Sequence, residues 1–309
     1  MLDTKRLIIN VTNDCNMNCK HCYRNHSKEF LKTSDILRFV SRMNCSGKLT
    51  NLVISGGEVF LYKELYLLLS EVNEKYNIRI NTNGILLNDN IPRLTSISKL
   101  RIQVSLDGYD SDTYFSTRNY DDFDLIINNT VRAKEAGLDV IFRTTINRKN
   151  IKNYERFIEI SKELGIPIIM KPMVNTFLKK QQNLVLTDVE VSEWYSDINQ
   201  KGYAKYVGKS PFAKNKCPIF YDDEILDSLI LESNGKVFLC SLLEHDRYSI
   251  GNIVDDLQEL EFKKKRISQL IRSMYACKEC KECIVRNNSG ITACISPCFF
   301  MRCEKIRDL

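Results

Sequence analysis

Residues 6–23 read "RLIINVTNDCNMNCKHCY": a β-branched run followed at once by three cysteines, Cys15, Cys19 and Cys22. The run "RLIINVT" (6–12) predicts a strand. Its recurrence decides the fold, because "LVISGG" (52–57), "IRINTNG" (78–84), "RIQVSLDG" (101–108), "DVIFRTTIN" (139–147) and "PIIMKPM" (167–173) have the same character. Between them "SDILRFVSRM", "KELYLLLSEVNEKY", "DFDLIINNTVRAKEAG" and "NYERFIEISKELG" carry apolar residues at three-and-four spacing. The last two reach Gly137 and Gly165, where a left-handed cap is cheap. A weaker helical pattern covers Arg93 to Ser98. This alternation predicts parallel βα units. Six units are too few to close an eight-stranded barrel, so an open, partial (β/α)6 TIM-like barrel is expected, with a wide lateral mouth suited to a large substrate.

Organisation beyond the barrel follows from composition. The 309 residues and 43% hydrophobic content allow one large domain and a smaller one. The divisions expected are 1–173 for the barrel, 174–216 for a connection with a helix around "TDVEVSEWYSDINQ", and 217–309 for a small cysteine-rich domain. In the last, "LILESNGKVFLC" predicts a hairpin turning at Asn234-Gly235, and "DDLQELEFKKKRISQLIRSMYA" a helix. The 45 basic and 39 acidic residues give a net charge of +6 and are scattered, which describes a solvated surface and not a nucleic-acid-binding arm. No export signal or membrane span is legible, so a cytoplasmic protein is expected.

Twelve cysteines in such a chain point to metal or redox chemistry, since reducing compartments disfavour disulfides. Three lie in 15–22 and eight in 217–303; Cys45 stands apart and reads as a plain thiol. The first trio could hold zinc with His21 or His26 as fourth ligand. Alternatively it could hold a four-iron cluster, leaving one iron open. Its place directly after the first strand puts it at the face where barrels of this type keep their active sites.

The C-x3-C-x2-C spacing resembles the radical S-adenosylmethionine (radical SAM) family, whose open iron chelates the methionine moiety of SAM. Gly56, Gly57 and Glu58 in "ISGGEVF" resemble the family's second-strand motif, whose backbone and acid hold the SAM ammonium. The family usually has proline after that glutamate; here it is Val59. Asn83 in "TNG" resembles the third-strand motif. Ser105 and Asp107 in "VSLDG" fall where the fourth strand reaches the ribose hydroxyls. Arg143 matches a position near the SAM carboxylate, Lys171 a basic sixth-strand position, and His21 the slot for a ring beside the adenine. Singly, each has a bland reading as a turn, cap or surface charge. Together they fall in order at the ends of consecutive strands. The resemblance covers residues 6–173 and implies cleavage of SAM to a 5′-deoxyadenosyl radical.

In the C-terminal third, Cys217, Cys240, Cys277, Cys280, Cys283, Cys294, Cys298 and Cys303 could form zinc knuckles. The G-x4-C from Gly235 to Cys240, with the later C-x2-C and C-x3-C pairs, resembles instead the SPASM extension of radical SAM enzymes. That extension implies one or two auxiliary [4Fe–4S] clusters. The spacing around Cys283 and Cys294 departs from the family's, leaving their assignment open.

SPASM enzymes include peptide maturases, sulfatase-maturing enzymes and small-molecule dehydrogenases. The expectation is a maturase that cross-links a ribosomally made precursor peptide through a thioether or carbon–carbon bond. Flavodoxin or ferredoxin would be its electron donor. The chain begins almost at the first strand, so leader recognition would fall to the barrel, the extension or a separate protein. Asp222, Asp223 and Glu224 are candidates for the base. The alternatives are a peptide epimerase, for which Ser241 stands where a hydrogen-donating cysteine is wanted, a sulfatase-type modifier, and a non-catalytic iron–sulfur or zinc binder.

Overall fold

The computed structural model describes residues 3–24, 26–173, 183–207, 225–226, 228–239 and 246–275. After a two-residue strand β1 (Asp3–Thr4), six strands alternate with helices: β2 (Arg6–Thr12), α1 (Thr33–Met43), β3 (Asn51–Gly56), α2 (Leu65–Val72), β4 (Asn77–Thr82), α3 (Leu87–Leu94), β5 (Leu100–Ser105), α4 (Ser111–Arg118), α5 (Phe123–Glu135), β6 (Asp139–Ile146), α6 (Glu155–Leu164) and β7 (Ile168–Pro172). All six predicted strands are present. β2 to β7 pair in sequence order, each parallel to the next, and this is the parallel-dominated α/β sheet of a partial TIM barrel.

Strand alternation divides the sheet into two faces of opposite chemistry. Leu7, Ile9, Val11, Leu52, Ile54, Ile80, Ile102, Val104, Phe142 and Met170 are fully buried. They share one core with the helix residues Phe39, Leu68, Ile126 and Phe157. Each side chain of this size stabilises by roughly 1.5–3 kcal/mol relative to exposure. The intervening positions include Asn10, Ser55, Asn81, Gln103, Ser105 and Arg143, so the other face is polar toward the C-terminal ends of the strands, while Ile8, Val53, Ile141 and Ile169 also lie on it. Gly137 and Gly165 take the left-handed conformation expected of them, with φ of 86° and 58°.

Three features depart from expectation. The helix sought at Arg93–Ser98 lies earlier, ending at Leu94 with Pro92 inside it. The helix α4 was not legible at all. It is held by a capping box in which Asp110 accepts from Thr113 N, and it ends on Asn119 in the left-handed conformation. The hairpin β9 (Leu229–Leu231) and β10 (Lys236–Phe238) forms as predicted, turning at Gly235, but it does not stand apart from the barrel. β9 pairs parallel with β2, giving the order β11-β10-β9-β2-β3-β4-β5-β6-β7, where β11 is Gly251–Asn252. A short β8 (Ile225–Leu226) pairs with β1, and the predicted helices α7 (Asp188–Gln200) and α8 (Leu257–Tyr275) are present. Among the described residues no helix is long and apolar enough to cross a membrane.

A buried polar contact fastens the hairpin to the barrel. Asn10 Nδ2 donates to Glu232 Oε1 at 2.5 Å, and Arg24 Nη1 pairs with Glu232 Oε2 at 2.8 Å. Arg24 and Glu232 are each only 9% exposed at the side chain. Removing Glu232 takes from the buried Arg24 the carboxylate it pairs with here and from Asn10 its acceptor. Glu232→Ala is therefore expected to cost about 3–5 kcal/mol, read from the midpoint of urea unfolding.

Candidate active site

The predicted motifs meet at the C-terminal ends of the strands and hold one another in place. The loop after β2 carries the three cysteines. Gly57 N donates to Thr12 O at 2.7 Å and Glu58 N to Asp14 O at 2.8 Å, so the end of β3 is laced to the backbone entering that loop. The glycines are required there by space. A Cβ on Gly56 would lie 2.3 Å from Thr12 O, and one on Gly57 would lie 2.2 Å from Asp14 O. Gly56 also has φ of +148°, a conformation that side chains oppose.

Glu58 ties two strands together. Its carboxylate is fully buried and accepts from Thr82 Oγ1 at 2.7 Å, Asn83 N at 2.8 Å and Phe60 N at 3.2 Å. It joins β3 to β4 and does not line the cavity. Burial pushes its carboxyl upward, and the three donors only partly oppose this. Asn83 continues the lacing, with its Nδ2 donating to Asn16 Oδ1 in the cysteine loop at 2.7 Å.

Asp107 closes the arrangement from β5. Arg118 Nε and Nη2 each lie 2.7 Å from its Oδ2, Thr145 N donates to Oδ1 at 2.6 Å, and His21 Nε2 is 3.3 Å away. Burial alone would raise this carboxyl, but Arg118, His21 and the Thr145 N–H outweigh it and hold it below its ordinary value. His21 Nδ1 faces Thr117 O at 3.2 Å, and the same carbonyl accepts from Lys20 N at 3.0 Å. Burial holds His21 below its ordinary value, with Arg118 acting the same way and Asp107 against. The end of α4 thus grips the cysteine loop. Arg118 Nη1 also reaches Cys19 Sγ at 3.9 Å.

A cavity of about 220 Å3 opens among these groups. It is lined by Cys15, Cys19, Cys22, His21, Gly56, Gly57, Asn83, Ser105 and Arg118, with Arg24, Asn81 and Gln103. Of the predicted site residues, Glu58, Asp107, Arg143 and Lys171 are not on its wall. Burial pulls the Arg143 guanidinium down to about 10, Asp107 opposing and Arg79 reinforcing. Lys171 stands opposite Thr145 in the β6–β7 register. Arg118 was missed because no motif in the chain marks it; its partners lie 11 and 99 residues away. The eight cysteines from Cys217 to Cys303, and Asp222, Asp223 and Glu224, lie outside the described residues.

Residues 9–161 match the family model described as Radical SAM superfamily, so the chain carries a radical SAM domain. Among curated relatives, a GTP 3′,8-cyclase of Rhodopirellula baltica is 31% identical over 144 residues, 44% of this chain and 40% of that protein. A probable GTP 3′,8-cyclase of Methanocaldococcus jannaschii is 24% identical over 53% of this chain and 57% of its own length. The chain thus spans about half the length of these relatives. An uncharacterized protein of M. jannaschii is 26% identical over 81% of this chain and 89% of that protein. Among solved structures, Streptococcus suis SuiB bound to its precursor peptide SuiA superposes with a TM-score of 0.71 at 17% identity, covering 88% of this chain and 67% of that one. anSMEcpe with bound AdoMet gives 0.70 at 17%, covering 91% and 87%. At these identities the structures establish the fold.

The radical SAM family uses SAM and a [4Fe–4S] cluster. Among the described residues no three metal-ligating side chains are close enough together to hold a single metal ion, whereas a four-iron cluster takes each thiolate on a different iron. Cys15, Cys19 and Cys22 are free thiols on one wall, and three thiolates complete a four-iron cluster to all but one iron. Burial, eased by the Met17 N–H, leaves Cys15 raised to about 11, and burial raises Cys19 against the pull of Arg118. In the metal-free chain these two are therefore protonated at neutral pH, and loading a cluster must release protons.

Two substitutions test the scaffold. Gly57→Ala forces a carbonyl and a methyl group together and is expected to cost about 1–3 kcal/mol in urea unfolding. Arg118→Met leaves Asp107 buried without its main partner, at about 3–5 kcal/mol near neutral pH. The pH dependence has a definite sign. Because Asp107 ionises more readily folded than at its unfolded value of about 3.9, its contribution is full above that pH and lost as pH falls through the folded value. The Arg118→Met protein is expected to lose less stability than wild type on acidification through this window.

Proposed function

We propose that the chain is a peptide-modifying radical SAM enzyme that forms a thioether or carbon–carbon cross-link in a ribosomally synthesised precursor. The observation that carries its first half is the convergence of Cys15, Cys19, Cys22, Gly56, Gly57, Asn83 and Ser105 on one cavity. When bound, the cluster and SAM together supply a 5′-deoxyadenosyl radical able to take a hydrogen atom from an unactivated C–H. Cys15, Cys19 and Cys22 would hold three irons. The backbone of Gly56 and Gly57 would receive the ammonium of the cofactor, with Glu58 fixing that backbone from behind. Ser105 would meet the ribose and His21 would border the adenine. Asp107 would act at one remove, by holding His21 and Arg118, and Arg143 and Lys171 would supply positive potential from the barrel interior.

The peptide half rests on the cysteine pattern of the C-terminal third and on the breadth of the match to SuiB, a protein solved with its precursor peptide. Cross-linking removes two hydrogens from the peptide, so a proton acceptor and an electron exit are needed beyond the hydrogen-atom acceptor. Asp222, Asp223 or Glu224 is proposed for the first. The cysteines from Cys217 to Cys303, holding one or two auxiliary clusters, are proposed for the second, and flavodoxin or ferredoxin is the proposed reductant.

A nucleotide-cyclising reading is favoured by the named sequence relatives, although they are matched over only about half their length. Anaerobic reconstitution with iron and sulfide, then incubation with SAM and reductant, separates the readings. Reductive 5′-deoxyadenosine formation is expected and should vanish in Cys15→Ala, Cys19→Ala and Cys22→Ala. Zinc content without cleavage would mark a non-catalytic binder. With a short peptide encoded beside the gene, loss of two hydrogens by mass spectrometry supports cross-linking. Unchanged mass in ordinary water, with one deuterium gained when the reaction is run in heavy water, would indicate an epimerase, and turnover of GTP in place of peptide would support the cyclase reading.

A further inference from the structure

At the opposite end of the barrel from the cysteines, the first residues of the strands surround a cavity of about 650 Å3. Its polar lining is dominated by cations: Arg6, Arg79, Lys99 and Arg101 face it, and Asp139 is the one acid among the lining residues. That acid is already engaged, since Arg101 Nε lies 2.7 Å from Asp139 Oδ2 in a half-exposed pair. Lys99 donates to the carbonyl of Glu74 at 3.1 Å, with no carboxylate paired to it among the described residues.

Arg79 is the telling member. Register pairs Val53 with Arg79, Arg79 with Arg101, and Arg101 with Asp139 across four strands. Neighbours in a parallel register point to the same face about 4.8 Å apart, so two guanidinium-bearing side chains stand side by side on the inner face. The Arg79 Nε is buried with no hydrogen-bond partner among the described residues. Burial first, and then the nearby charges of Arg6 and Arg101, hold its guanidinium below its ordinary range. Leaving a buried guanidinium nitrogen without an acceptor is costly, and two like charges nearby compound the cost. A fold that keeps this arrangement gains from it when an anion enters.

We propose that this N-terminal mouth of the barrel is a binding site for a small, multiply charged oxyanion, a phosphate- or carboxylate-bearing molecule, distinct from the SAM cavity. Planar guanidinium forks match both groups in a bidentate manner. A volume of 650 Å3 suits a small ligand, and Ile97 and Leu138 supply an apolar wall for its carbon skeleton. The site stands whether or not the peptide reading of the enzyme is right, because it uses none of the same residues.

Isothermal titration calorimetry of the full-length chain at low ionic strength tests it, with pyrophosphate in one arm and citrate in the other. Saturable one-to-one binding of at least one is expected, weakened about tenfold in Arg79→Met and unchanged in Cys19→Ala. Preference for pyrophosphate would assign the phosphate source, and preference for citrate the carboxylate one. If Arg79→Met does not fold, as judged by circular dichroism and gel filtration, Arg101→Gln carries the same comparison, its side chain being 53% exposed. No saturable binding of either anion, or equal binding by wild type and the folded variant, overturns the proposal.

Discussion

The carboxylate of Asp107 stands where four segments of chain meet: the end of β5, the last residue of α4, the cysteine loop and β6. Withdrawing a carboxylate from water costs several kcal/mol, and only close, well-aligned partners offset it. Here Arg118 presents two nitrogens at 2.7 Å, Thr145 its N–H and His21 its ring. The loop bearing Cys15, Cys19 and Cys22 is short of regular structure, so its shape depends on what it is tied to. Through His21 and Lys20 on Thr117 O, and Cys19 beside Arg118, it is tied to this charge. On its other flank the Gly56-Gly57-Glu58 turn binds Thr12 and Asp14. A loop clamped from both sides loses little conformational freedom when a cofactor arrives, which is the general basis of preorganisation.

The two faces of the sheet explain why a cavity can exist here at all. A closed eight-stranded barrel fills its interior with layers of branched side chains. Beside Ile8, Val53, Ile141 and Ile169, the inner positions of this sheet include Asn10, Ser55, Asn81, Gln103, Ser105, Arg79 and Arg143, groups that call for partners or solvent and do not collapse into a dry core. The apolar contribution to stability comes from the outer face and its helices, leaving the inner face available for binding at both ends.

Much of this was legible in the chain. The six strands announced themselves as β-branched runs, and the cysteine loop, the two glycines, Asn83 and Ser105, picked out by their motifs, line one cavity. The failures share a cause: partners distant in sequence. That Glu58 also accepts from Thr82 and Asn83 is hidden because they belong to the next strand. The sequence "SDTYFSTR" of α4 buries Tyr114, Thr117 and Arg118, two of them polar, so it shows no apolar stripe. Arg118 reads as a surface charge until Asp107 and Cys19 are brought to it. The hairpin at Asn234-Gly235 was recognisable from its turn, but nothing local discloses that its first strand lies against β2.

That last pairing bears on where the chain can be cut. With β9 in place, β2 is an interior strand hydrogen-bonded on both sides. A barrel truncated after β7 would leave the outer edge of β2 bare, a row of unpaired amides and carbonyls beside the apolar Leu7 and Ile9. Bare edges of that kind recruit strands from other molecules, so the hairpin acts as a built-in guard against self-association.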